Sequence, residues 1–132
     1  MSDRRAFQYA ILRVVPSVER GERLNVGVAV LCPERRFLGI RVALDEARLA
    51  ALAPQADPAA VRQALDAIVA VADGDAAAGP LAQLSPSERF GWLAAPSSTI
   101  IQPSAVHTGL TGDPEETLER LFGSLVLTQP ER

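Results

Sequence analysis

The sequence predicts an α+β domain: a three- to four-stranded, mainly antiparallel sheet, beginning with an N-terminal meander, with about three helices packed on one face. Two observations predict this class. Runs rich in β-branched residues follow one another early in the chain, with connections too short for a parallel crossover. Helix start signals follow later. The 132 residues, of which 48% are hydrophobic, are enough for one domain over residues 1–132, with a frayed tail over 128–132.

Alternation of apolar and other residues predicts strands over residues 7–15, 24–32 and 37–43. In the second strand the apolar positions are expected to share one core-facing side. These are Leu24, Val26, Val28, Val30 and Cys32. The later segment 95–112 is long for a loop without structure in a compact domain, so we predict a fourth strand around residues 99–102.

Four helix starts are marked by capping residues. Asp45 precedes a short helix, Asp57 precedes a proline and a longer apolar stripe, Ser85 begins a capping box, and Asp113 precedes the last helix. We expect these helices to bury one stripe each, and we expect Trp92 to lie in the core.

Composition excludes several function classes. All 13 basic residues are arginines, so chemistry that needs a lysine amine is excluded. The net charge of −3 argues against general nucleic-acid binding. Cys32 is the one cysteine, which excludes an internal disulfide and indicates a reducing, cytoplasmic location. No apolar run is long enough for a membrane span, and we expect neither a metal nor a cofactor.

The connection between the first two strands carries more charge than a turn requires. Four ionisable side chains and one amide lie within seven residues, over 19–25, where a glycine and one polar residue would suffice. This cluster is the first candidate for a functional surface.

Several motifs are spread over nearly the whole length of the chain. They are Tyr9-Ala10-x-x-Arg13-x-x-Pro16, Glu19-Arg20-Gly21-Glu22-x-x-Asn25-x-Gly27-Val28, Arg89-Phe90, Pro96-Ser97-Ser98-Thr99 and His107-x-Gly109. Through these motifs the chain resembles a family catalogued as domain of unknown function 3037. The resemblance implies a small bacterial protein without an assigned activity. It also suggests a protein partner, namely a toxin-like kinase encoded nearby.

Arg13 has two interpretations. It shares a strand face with apolar residues, so its guanidinium must find acceptors. It could bind an anionic ligand, or it could form an ion pair with Glu19 or Glu22 that fixes the hairpin. Asn25 stands opposite, at the entrance of the second strand.

Glu19, Glu22 and His107 are the candidate catalytic residues. The two carboxylates could act as an acid/base pair, but neighbouring arginines favour a solvated or ion-paired turn. His107 is the one imidazole, and it lacks the carboxylate and the nucleophile turn that a Ser-His site needs.

We therefore expect a non-enzymatic binding or accessory module that recognises a protein partner. The alternative is a small hydrolase or nuclease-like enzyme that uses Glu19, Glu22 and His107, with Arg13 stabilising an anion. An exposed sheet edge leaves a homodimer open. The predicted binding residues are Arg13, Glu19, Arg20, Glu22, Asn25, Arg89, Ser98, Thr99, Gln102 and His107.

Overall fold

The computed structural model describes residues 3–97 and 99–127, and within them it has five strands and four α-helices. The strands are β1 (Arg5–Val14), β2 (Leu24–Cys32), β3 (Phe37–Val42), β4 (Ile101–Pro103) and β5 (His107–Thr111). The helices are α1 (Glu46–Leu52), α2 (Pro58–Ala72), α3 (Pro86–Ala94) and α4 (Pro114–Leu125). The α+β class and the N-terminal meander are confirmed. The tail expected over residues 128–132 lies outside the described residues.

The strands form one antiparallel sheet in the order β3, β2, β1, with β4 and β5 end to end along the other side of β1. β4 pairs with residues 12–14 of β1, and β5 pairs with residues 5–9. Between these pairings two residues of β1 face three residues, 104–106, which is a β-bulge. The predicted fourth strand exists, but β5 was not predicted, because Gly109 interrupts its short apolar pattern.

A second bulge changes the expected faces of β2. Leu12 pairs with Gly27 and Arg13 pairs with Asn25, so Val26 is left without an opposite residue. An extra residue reverses the alternation beyond it. Leu24 and Val26 therefore pack in one core cluster, whereas Val28, Val30 and Cys32 pack in another on the opposite face. The prediction that these five residues share one face was wrong.

The sheet has helices on both faces. The prediction that the helices share one face was therefore wrong. Leu49 of α1, Val61 and Leu65 of α2, and Phe90 of α3 belong to the larger cluster on one face. The fourth helix, α4, packs on the other face, where Leu118 and Leu121 meet Phe7 and the second half of β2. The β2 bulge makes this possible, because it gives both faces of β2 apolar residues to bury.

The predicted helix starts are confirmed. The side chains of Asp45, Asp57 and Asp113 each accept a hydrogen bond from a backbone N–H of the helix that follows. Ser85 forms the complete capping box with Glu88. Local sequence alone therefore fixed where these helices begin.

Candidate functional site

The candidate site is the part of the sheet that α4 leaves uncovered. This helix lies against β2 and β3, on the face that also carries Phe7. Because alternate residues of a strand share a face, five side chains of β1, β4 and β5 lie on the same face beside the helix. We call them the open half of the sheet: Tyr9, Ile11, Arg13, Gln102 and His107. His107 is exposed, and the other four are half-buried.

One end of the open half is an aromatic pair. Tyr9 and His107 are directly opposite each other on β1 and β5, with ring centroids 5.1 Å apart and ring planes at 30°. Tyr9 also lies 6.1 Å from Phe7, ring centroid to ring centroid, which joins the pair to the core under α4. The bulge holds this end in place, because the N–H of Ile11 donates to Ser104 Oγ at 2.8 Å and Ser104 N donates back to the Ile11 carbonyl at 2.8 Å.

Arg13 occupies the other end. Its Nη2 donates to the Pro103 carbonyl at 3.2 Å, and its Nε is buried without a hydrogen-bond partner. Burial and the nearby charge of Arg23 both lower the pKa of Arg13 below its ordinary value. The ion pair with Glu19 or Glu22 that the sequence allowed is not formed. Arg13 is thus a guanidinium on the sheet face without a carboxylate among the described residues.

Asn25 and Gln102 lie on either side of Arg13, as their pairings with it show. Asn25 Nδ2 donates to the Leu125 carbonyl at 3.0 Å, which ties the start of β2 to the last turn of α4. Gln102 Nε2 donates to the Thr99 carbonyl at 3.1 Å. Asn25 therefore has a structural role in positioning the helix that borders the open half.

The charged hairpin residues lie elsewhere. Arg20 and Glu22 form a two-pronged pair, with Nε–Oε1 at 2.7 Å and Nη2–Oε2 at 3.1 Å. This pairing raises the pKa of Arg20 and lowers the pKa of Glu22. Both line a cavity of about 570 Å³ that is closed on its far side by the connection between α1 and α2. Glu19 is exposed in the same turn.

The three candidate catalytic residues are not brought together. His107 pairs with Tyr9, and Val14, where the hairpin connection begins, is five positions further along β1. At about 3.3 Å per residue this is roughly 16 Å of strand. Glu22 is moreover engaged by Arg20. An acid/base site built from Glu19, Glu22 and His107 therefore has no geometric support.

Arg89 and Thr99 lie on the opposite face. Arg89 of α3 donates through Nη1 to the Leu84 carbonyl at 2.6 Å. Thr99 Oγ1 donates to the Ile101 carbonyl at 2.9 Å and borders an apolar groove of about 420 Å³. Ser98 lies outside the described residues. Trp92 lines the same groove and is 40% exposed, so the prediction that it lies in the core was wrong.

A family model described as "Protein of unknown function (DUF3037)" matches residues 9–126 of the chain. The chain belongs to this family. No curated protein and no solved structure matches it. The residues of the open half from Tyr9 to His107 all fall inside the matched region of the DUF3037 family.

Two further findings concern residues 3–97 and 99–127 of this DUF3037 protein. No group of three His, Cys, Asp or Glu side chains is placed where it could hold a metal ion. No helix there has the length and apolar character that crossing a membrane requires. The sequence alone does not group the five residues of the open half. They come from three strands, and only the pairing register shows that they share a face.

Proposed function

We propose that this protein is a non-enzymatic binding module that recognises a protein partner through the open half of its sheet. The observation that carries this proposal is a strip of half-buried Tyr, Ile and Arg side chains beside α4, ending in the exposed His107. Tyrosine and arginine are the residue types that protein interfaces favour, because they combine large apolar surface with polar atoms.

The charge of Arg13 supports the same proposal. Four other arginines, Arg5, Arg20, Arg41 and Arg62, form ion pairs with carboxylates of the chain. Arg13 forms no such ion pair, although it is half-buried. A partly desolvated charge without a counter-ion is unfavourable for the free protein, and such a residue is more often explained by a ligand than by folding.

Site-specific photo-crosslinking tests this proposal directly. A benzophenone amino acid replaces His107 in the open half, and a matched variant carries it at Gln63, which is exposed on α2 over the opposite face. Both variants are expressed in cells that naturally carry the gene. We expect one discrete crosslinked protein from position 107 and none from position 63. Identical products from both positions, or no product from position 107, would refute the proposal.

A second substitution tests whether Tyr9 contributes to the contact with the partner. Tyr9→Ala in the position-107 variant should reduce the crosslinked product about 5- to 30-fold, since an aromatic anchor contributes about 1 to 2 kcal/mol in an interface. The toxin-like kinase that the family resemblance suggests is one candidate for the product, and mass spectrometry of the crosslinked band identifies it or another protein.

A further inference from the structure

Two arginines without ion-pair partners in the described part of the chain lie near each other at the hairpin end of the open half. Arg13 is opposite Asn25 on β2, and Arg23 is two residues before Asn25 in the chain. Because Leu24 pairs with Val14, the backbone of Arg23 is diagonal to that of Arg13 across the two chain segments. The charge of Arg23 lies close enough to lower the pKa of Arg13, in addition to the larger effect of burial.

The carboxylates of the hairpin do not neutralise this pair of arginines. Glu22 is held by Arg20 in two hydrogen bonds. In residues 3–97 and 99–127 no ion pair joins a carboxylate, the exposed Glu19 included, to either Arg13 or Arg23. The acidic and basic residues of the hairpin are equal in number, but Arg13 and Arg23 are left without an ion-pair partner in this part of the chain.

The donors of Arg13 are also incompletely used. One Nη2 hydrogen bond reaches the Pro103 carbonyl, and Nε is buried without an acceptor. A buried, unpaired donor lowers the stability of the free protein unless an acceptor arrives. A small shift of the guanidinium toward an incoming oxygen would satisfy this donor and reduce the repulsion with Arg23.

We infer that Arg13 and Arg23 form a two-guanidinium site for one carboxylate, supplied by an acidic side chain of the protein partner. The inference rests on the proposed function and adds the chemistry of recognition. A guanidinium presents a planar pair of donors that matches the two oxygens of a carboxylate. Ile11 and Tyr9 continue along the same face, so the acidic residue of the partner is flanked by apolar ones.

A carboxylate fits this place better than a nucleic acid. The chain has a net charge of −3, so its overall field does not attract a polyanion. Two arginines beside an aromatic and an aliphatic side chain provide one charged contact, not a track of phosphate contacts.

The test uses ¹⁵N-labelled protein and the NMR signals of the Arg13 and Arg23 Nε–H groups. One probe is a blocked peptide with a single glutamate between leucines, a second has glutamine in its place, and a third is inorganic phosphate. Sodium chloride at equal ionic strength is the baseline. We expect saturable shifts of both signals with the glutamate peptide and a response to the glutamine peptide that is at least about tenfold weaker.

Variants make the result specific. Arg23→Gln should weaken the response of the Arg13 signal to the glutamate peptide about tenfold, whereas Arg120→Gln, an exposed arginine on α4, should not change it. Shifts equal to those in sodium chloride, or a response to phosphate and none to the glutamate peptide, overturn the inference. A captured partner with no peptide response removes this inference and leaves the proposed function. A peptide response without a captured partner refutes the proposed function and, with it, the assignment of the carboxylate to a protein partner.

Discussion

The ring of Tyr9 lies against the imidazole of His107 across two paired strands, with the ring centroids 5.1 Å apart. This contact joins the edge strand β5 to the covered core, because Tyr9 also packs against Phe7. A Tyr9→Leu and His107→Leu double-mutant cycle should give a coupling of about 0.5 to 1 kcal/mol in the free energy of unfolding. Chemical denaturation measures it. A coupling near zero would mean that the two rings are neighbours without a stabilising interaction.

Arg13 and Arg41 should respond oppositely to loss of charge. Arg41 Nη2 is 2.6 Å from Glu119, which joins β3 to α4, so Arg41→Met should destabilise the protein by about 0.5 to 1 kcal/mol at low salt. Arg13→Met removes repulsion from Arg23 and keeps the apolar stem, so unfolding free energy should stay equal or rise by up to about 1 kcal/mol.

Salt provides the control for that comparison. In about 1 M salt, the changes in unfolding free energy caused by Arg41→Met and by Arg13→Met should both be smaller, because screening weakens attraction and repulsion alike. Denaturant unfolding at two ionic strengths measures this. A clear loss of stability in Arg13→Met would indicate that this arginine holds the fold together, and would contradict its assignment as a binding residue.

Gly109 is required by the ring of Phe7. A Cβ at position 109 would lie 2.7 Å from Phe7 Cε1, and Phe7 is buried under α4. Gly109→Ala should therefore lower the free energy of unfolding by about 1 to 3 kcal/mol, since the ring has to move in a packed core. Gly91 in α3 is the matched control, because a Cβ there meets nothing within 4 Å. Gly91→Ala should stabilise by up to about 1 kcal/mol.

Glu88 gives the fold a defined acid sensitivity at the start of α3. Hydrogen bonds from the backbone and side chain of Ser85 lower the pKa of Glu88 below its ordinary 4.5. A lowered native-state pKa contributes stability that is present above the ordinary value and is lost as the pH falls through the lowered one. The protein should thus be more stable than Glu88→Gln at about pH 6, and this difference should shrink as the pH falls below 4.5. Thermal unfolding across this range checks the sign.

Local signals predicted the helices well but not the layering of the sheet. Capping residues such as Ser85 and Asp113 act within one turn, so the sequence alone located four helix starts. The face of each β2 residue depends instead on Val26, whose bulge is set by how β1 and β2 pair. Nothing in an alternating run of valines reveals that reversal, and the placement of α4 on the second face depends on it.

The candidate site was predicted in part for the same reason. Arg13 and His107 were recognised as unusual from their neighbours in the chain, and the structure places both on one open face. Glu22 was grouped with them because it is close to Arg13 in sequence. Its pairing with Arg20 and its position in the cavity near α1 required tertiary structure to see.

The buried hydroxyls of Thr111 and Thr117 form a hydrogen bond with each other where β5 leads into α4. Their oxygens are 2.6 Å apart, and both residues are buried. Thr117→Val should lower the free energy of unfolding by about 1 to 2 kcal/mol, since it leaves the Thr111 hydroxyl with fewer partners. Thr111→Val should lower it further, because Thr111 Oγ1 also accepts the N–H of Asp113, which caps α4.

The double variant separates the pair from the cap. With both hydroxyls replaced, no buried hydroxyl is left unpaired, so the double variant should be no less stable than Thr111→Val alone. Strictly additive losses in chemical denaturation would show instead that each hydroxyl acts independently. The stability that the double variant still lacks, compared with the unchanged protein, measures the loss of the acceptor for Asp113 N. This loss should also appear as faster amide exchange in the first turn of α4, where fraying begins.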